Sequence, residues 1–520
     1  MLVAVPIAAS LTVLPGERCP FPEFIPQDVW VGLPWYAQLA CRLLHERALG
    51  PASRFADYLP ALPARVDLPA AWPRHAVAAL QYPYLEQQIL DEQEEWARLS
   101  DRLKPYLSRR RLAAEDLYWA LAAVRSRTFA GPYFPTPPAV KLAAGAVAAA
   151  AVAAAQAALS GGAVGAGGAE VGSLLTAVLP ALAAALGVPA AWQAAEARRA
   201  ASGEPGTVLY SVCPFIDMFN HDSRAQSECV FAPWRGEFRV AAGEPHRRGA
   251  QVAINYGSQS NDALLQRYGF VQLDGNPNDR YVFEDLLRPL ERALQAGAGG
   301  AACGRVTRVE LADAARRAGA PAGSLDQVPV TAAGGFPEPA RQAVAALLAE
   351  LARRQPSPAA AGAAGAAPSE ATLQEVLDAV CQAELAASGS SLADDEAALA
   401  QLAAWQDDVA ARQAAAQAEM EAAPTALGPS VSEQTASLEG VAIGEGAGVA
   451  AAAASAPLGE GEEGTTPAVA AGEEPSPPPP PVEPPAELAV QGGEAERLRT
   501  VLSFRIAKKR VLTALAGGTQ

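Results

Sequence analysis

Three short islands stand out for side chains that could do chemistry: SRTF at 126–129, PFIDMFNHD at 214–222 and INYGSQSNDALLQRYGFV at 254–271. They supply a guanidinium (Arg127), a carboxylate (Asp217), an amide beside an imidazole (Asn220, His221) and two phenols (Tyr256, Tyr268). Taken singly, each has an ordinary structural explanation. Asn220-His221 could be a turn with a satisfied histidine. Tyr256 and Tyr268 could be core aromatics with their hydroxyls at the rim. Arg127 could be a cation favoured by a helix C-terminus. Other chemistries lack their motifs. There is no Walker A loop, the four histidines form no HExxH, and the six cysteines form no CxxC pair. No metal site is therefore expected.

Together and in this order, the islands are more specific. They resemble the SET-domain protein methyltransferases, and within them the Rubisco large-subunit methyltransferase-like group. In that group a Ser-Arg-x-Phe helix end, a D-x-x-N-H turn and a Y-G…S-N…Y-G-F segment follow one another. The resemblance extends further. LVAVPIAASLTV is similar to the strand leading into the family's first loop. RLLHERALGPASRFADYLPALP resembles its inserted helical region, with a Tyr-Leu…Leu-Pro segment. SLADDEAALAQL and RLRTVLSFRIAKKRVLTAL resemble two ends of its C-terminal substrate-binding domain.

The resemblance implies an S-adenosylmethionine-dependent protein-lysine N-methyltransferase. Tyr256 would be the catalytic tyrosine near the methyl group, and Tyr268 would line the lysine channel. Arg127, Asn220, His221 and Tyr256 would bind the cofactor. Arg127, Asp217, Tyr256 and Tyr268 would bind substrate, with Arg127 at the junction of the two. The residue types suit this chemistry. Methyl transfer is an in-line displacement that needs the nucleophile aligned at ~3 Å. A lysine amine, with a reference pKa of ~10.4, must lose its proton before it attacks, and a tyrosine-walled channel favours that loss.

Two departures accompany the resemblance. The family's first cofactor element is a Gly-containing strand-turn ahead of the first strand. This chain opens at Met1-Leu2-Val3-Ala4-Val5-Pro6, already inside that strand. The family also often carries a second basic side chain four residues after the Ser-Arg arginine, and here that position is Gly131. The competing expectations are a catalytically impaired SET-like protein-binding module and a protein-histidine methyltransferase. In the histidine variant the second tyrosine is lost, so Tyr268 favours lysine.

The elements that must position these residues follow from periodicity and composition. Helices are expected over 35–50, 82–103 and 113–134, the last stopped by Gly131-Pro132. A small β-structure is expected over 238–257 and a helix opening at Ser260 or Asn261. From 278 the pattern is helical, beginning with DRYVFEDLLRPLERALQ. The expected fold is α+β: a β-rich SET domain at 1–277 with a helical insert, then an all-helical substrate-binding domain at 278–520. Two low-complexity tracts, about 139–205 and 422–493, interrupt these domains, and the second cannot bury enough apolar surface to fold. A last helix at 494–515 is expected to pack back on the domain before that tract.

Lys+Arg is 40 and Asp+Glu 56, a net charge of −16, which argues against a nucleic-acid partner. Only four of those 40 cations are lysines, which reads as compositional bias. The expected partner is a protein bearing a target lysine, met by a monomer, with no membrane span. The Ala-rich run 142–159 is too weakly apolar for one. Scattered cysteines suit a reducing compartment, and the start has no signal- or transit-peptide character. An intracellular location is expected, in the chloroplast or in the cytosol and nucleus.

Overall fold

The computed structural model describes residues 1–14, 16–132, 208–232, 235–299, 306–354, 368–422, 482–485 and 494–517, with 146, 149 and 153 as single positions. The two low-complexity tracts and the 142–159 run lie almost wholly outside the described residues. The chain divides into two units, Met1–Leu399 with Ala486–Gln520, and Ala400–Pro485. The second holds most of a long helix, Leu392–Ala422, and the segment Val482–Pro485, whose first amide donates to Asp408 Oδ2 at 3.3 Å. The division proposed at 277/278 falls inside the first unit, which also carries all three islands.

The first unit is α+β. Strands β1 (Val3–Pro6), β7 (Glu237–Ala241) and β6 (Glu228–Ala232) form one antiparallel sheet, in that order. Strands β2 (Leu11–Val13), β4 (Val208–Val212) and β3 (Thr128–Pro132) form a second. A short parallel pair joins β5 (Asn220–His221) to β8 (Ala253–Ile254). Apolar residues from these sheets, among them Val5, Leu209, Phe238, Val240 and Ile254, make a small core on which Tyr256 packs.

The helical insert forms a second core. The helix Trp35–Leu49 starts after Pro34 and stops at Gly50, whose φ of 54° a side chain would resist. The helix Pro83–Arg109 buries Leu85, Ile89, Glu92, Trp96, Leu99, Leu103 and Leu107, a single stripe at helical spacing. The helix Ala114–Arg127 ends earlier than the sequence suggests. Thr128 and Phe129 instead pair with Val212 and Ser211, because the β4 edge offers ladder hydrogen bonds that a final helical turn would forgo. The switch from helix to strand therefore falls at Arg127 rather than at Gly131. Gly131 is packed so closely that an added Cβ would lie 2.7 Å from the Cβ of Phe231.

Among the described residues after 278, helices predominate and one antiparallel ribbon stands among them. Tyr281–Asp285 (β9) was expected to open a helix, yet it pairs with Asp326–Val330 (β10). Its Tyr-Val-Phe run has high strand propensity and buries all three side chains, which outweighs the helical pattern that begins after it. Helices Leu287–Gln295, Arg308–Arg317, Glu338–Arg354 and Glu370–Ala387 follow. The C-terminal helix, Ala495–Ala516, packs into the same core as they do, burying Val501, Phe504, Val511 and Leu512. That core also takes Trp72, Tyr82, Leu85 and Leu265 from the region before 278. No helix among the described residues is long and apolar enough to cross a membrane.

Candidate active site

Arg127 stands where the helix Ala114–Arg127 turns into β3. Asp217 lies in a one-turn helix, Ile216–Met218, that follows Phe215. Phe215 has φ 71° and is 75% exposed, so the chain holds an unfavourable backbone angle to make this turn. The turn buries the Asp217 side chain completely. Its Oδ2 accepts from Tyr58 Oη at 2.6 Å and from Arg127 Nη1 at 3.2 Å. Burial pushes the Asp217 carboxyl above the usual range, and the Tyr58 and Arg127 hydrogen bonds offset this only in part. The Tyr58 phenol is also pushed up, by burial first and by the Asp217 charge second.

Tyr256 follows β8. Its hydroxyl donates to Phe219 O at 2.6 Å, and its amide donates to His221 Nδ1 at 3.1 Å. The His221 and Tyr256 rings lie 4.9 Å apart, and the Tyr256 and Tyr268 rings 4.8 Å apart. Burial, and secondarily the neighbouring Tyr268, raises the Tyr256 phenol to about 12. Burial also raises Tyr268 and lowers His221. His221 is thus neutral near pH 7. Because Nδ1 accepts, Nε2 carries the proton, and Nε2 is buried without a partner among the described residues.

The islands are stapled to one another. Asn255 Nδ2 donates to Ser223 O at 3.1 Å, and Ser223 N donates to Gln272 Oε1 at 3.1 Å. Tyr268 ends the helix Asn261–Tyr268, stopped by Gly269 at φ 77°. Ser260 occupies the N-cap position of that helix, but its side chain makes no capping hydrogen bond.

A cleft of about 780 Å³ runs across these elements, with Arg127, Asp217, Tyr256 and Tyr268 on its wall. Asn220 and His221 do not line it. Asn220 is exposed on β5, and His221 sits behind Tyr256. Sequence reasoning missed several wall residues. Trp35 and Tyr210 stack face to face at 4.0 Å, and Arg125 pairs with Glu92 at 2.8 Å. Tyr58, which anchors Asp217 from outside the wall, was missed as well, although it belongs to the Tyr-Leu…Leu-Pro segment of the helical insert. Trp35 opens a recognised helix, and Tyr210 lies just before the second island. Neither carries a local signal, because their stacking joins residues far apart in sequence, which only the fold brings together.

Comparison with known proteins yields limited similarity. No protein-family model matches the chain, and no curated protein does. Solved structures align with it, among them two described as the SET domain of LSMT bound to lysine and AdoHcy, and to methyl-lysine and AdoHcy. These two have TM-scores of 0.39 and 0.37 at 16% and 14% identity, over 76% of this chain and 73% and 72% of theirs. Similarity of that extent leaves the assignment of the site to its own residues.

Proposed function

We propose that this chain is a protein-lysine N-methyltransferase that uses S-adenosylmethionine. The observation that carries the reading is the Tyr256–Tyr268 ring pair on the cleft wall, beside the Arg127–Asp217 ion pair. The three islands of the SET-like motif set meet there, although they are spread widely through the sequence.

The residues fit such a cofactor. His221 Nε2 is a buried polar atom without a hydrogen-bond partner among the described residues, which a bound polar group would satisfy. Asn220, beside it, offers an exposed amide. We assign both to the cofactor, with Arg127 and Tyr256 at its reactive end. When bound, S-adenosylmethionine would supply an electrophilic methyl group on a sulfonium.

The chain's own part is to bind, orient and desolvate. Tyr256 spends its hydroxyl proton on Phe219 O, so the lone pairs of its oxygen remain available to the cleft. With a pKa raised to about 12, it stays neutral through the physiological range. Neutral phenol walls disfavour a lysine ammonium relative to the free amine, which lets the proton leave to solvent before attack. Tyr268 narrows the channel, and Asp217, locked by Arg127 and Tyr58, holds its rim. Tyr268 also favours lysine over histidine as the acceptor, since an imidazole needs the room that its ring fills.

The test is direct. The full chain is titrated calorimetrically with S-adenosylhomocysteine, then incubated with methyl-labelled S-adenosylmethionine and a cell extract. Labelled products are hydrolysed and their amino acids separated. Labelled methyl-lysine is the expected result. Labelled methylhistidine would move the assignment to the histidine variant, and cofactor binding without transfer would favour a binding module. Failure to bind the cofactor at all would sink the proposal.

A further inference from the structure

Among 40 basic residues only four are lysines, and two of these, Lys508 and Lys509, are buried side by side on the C-terminal helix. They face different partners. Lys509 Nζ, with Arg505, engages Asp395 and Ser390 near the start of the Leu392–Ala422 helix. Lys508 Nζ instead donates to Asp262 Oδ2 at 3.1 Å, Asp279 Oδ1 at 2.7 Å and Arg280 O at 2.6 Å. Three acceptors match the three donors of one ammonium.

We infer that Lys508 is a positioning residue for Tyr268, acting through Asp262, Asp279 and Asn261. This rests on the reading of Tyr256 and Tyr268 as the acceptor channel. Asp262 lies in the first turn of the helix that Tyr268 ends. Asp279 accepts from Asn261 N at 3.1 Å and from Asn261 Nδ2 at 2.7 Å, which fixes the start of that helix. Asn261 Oδ1 accepts from Gln272 N at 3.0 Å, and Nδ2 donates to Gln272 O at 3.2 Å. The segment Tyr268–Gly269–Phe270 is therefore held between two points of one hydrogen-bonded network. Gln272 carries the same network to Ser223, just beyond His221.

Both carboxylates are nearly sealed from water, with side-chain exposures of 7% for Asp262 and 9% for Asp279. Without the ammonium they would be like charges buried together. The short helix would relieve this by shifting toward solvent, and Tyr268 would move with it. The guanidinium of an arginine, a planar fork, does not reproduce three converging single contacts. The C-terminal helix thus ties the start of the Tyr268 helix to itself through the Lys508 ammonium, although none of its described residues lines the cleft.

The experiment compares full-length Lys508→Met, Lys509→Met and Asp279→Asn with the unmodified chain. All are labelled with 3-fluorotyrosine, and the Tyr268 resonance is assigned by Tyr268→Phe. Both lysine substitutions break a buried ionic cluster on the same helix and lower the melting temperature. Only Lys508→Met should shift the Tyr268 fluorine signal, with kcat for methyl transfer to lysine reduced roughly tenfold to a hundredfold. Asp279→Asn keeps the shape of the site, remains folded, and should move the signal the same way by less. An unmoved Tyr268 signal in Asp279→Asn or in folded Lys508→Met, or an equal shift in Lys509→Met, would overturn the inference. The fluorine comparison decides it even if the unmodified chain transfers no methyl group, an outcome that counts against the proposed activity alone.

Discussion

Arg127 meets Asp217 twice through one nitrogen: Nη1 donates to the Asp217 backbone oxygen at 3.0 Å and to its carboxylate at 3.2 Å. The arginine therefore holds both the turn and the charge at its centre. Arg127→Met should cost about 3 kcal/mol of stability at pH 8, because it leaves a buried carboxylate without its cation. Urea unfolding measures this, and a cost under ~1 kcal/mol would mean that water replaces the arginine.

The same pair gives stability a pH dependence of known sign. The folded Asp217 carboxyl lies above 3.8, so in the window from 3.8 up to its raised value the folded state binds more protons than the unfolded chain. Asp217 therefore makes stability fall as pH rises through that window. Asp217→Asn should remove this slope. Parallel denaturation curves for the two proteins across the window would contradict the assignment.

Tyr256→Phe removes a hydroxyl without changing packing volume, and it leaves Phe219 O without its donor. Losing that hydrogen bond should cost about 1 kcal/mol of stability, whereas methyl transfer should fall by one to two orders of magnitude, roughly. If the variant binds cofactor and acceptor yet turns over at the unmodified rate, Tyr256 is not the catalytic tyrosine.

The pH–rate profile should report the acceptor rather than the channel. Tyr256, raised to about 12, stays protonated across the assay range. Then kcat/KM should climb about tenfold per pH unit between roughly pH 7 and 9, as an acceptor lysine near ~10.4 loses its proton. A plateau beginning near neutrality would show that some group on the enzyme takes the proton instead.

Asn220→Ala should weaken S-adenosylhomocysteine binding by roughly 5- to 150-fold, the equivalent of ~1–3 kcal/mol for a lost polar partner. Acceptor binding should change little. Calorimetry on the two proteins checks it, and equal cofactor affinities would take Asn220 out of the cofactor site.

The sequence was most informative where local chemistry and local periodicity agree. The helix Trp35–Leu49, bounded by Pro34 and Gly50, and the stripe from Leu85 to Leu107 are visible as pattern. So is the return of the C-terminal helix to the domain, from its apolar spacing after a tract that cannot fold. Where two tendencies compete, reading failed. Thr128-Phe129 and Tyr281-Val282-Phe283 sit in helical surroundings, and their strand partners are distant in sequence. The cleft divided similarly. Arg127, Asp217, Tyr256 and Tyr268 carry motif signals, whereas Trp35, Tyr58 and Tyr210 matter through contacts made only after folding. No periodicity announces that Lys508 and Lys509, neighbours on one helix, serve different clusters.

Gly131 and Phe231 are one unit of variation, not two. With only 2.7 Å between a Cβ at 131 and the Cβ of Phe231, a basic side chain at 131 requires glycine at 231. An engineer who makes Gly131→Lys alone should expect β3 to be pushed off β6 instead of a new substrate contact. Combined with Phe231→Gly, which removes that Cβ as well as the ring, the same substitution has room, so the two changes should be strongly non-additive. A lysine introduced at 131 ahead of any change at 231 passes through an intermediate that folds poorly. That makes the present glycine hard to leave by single steps.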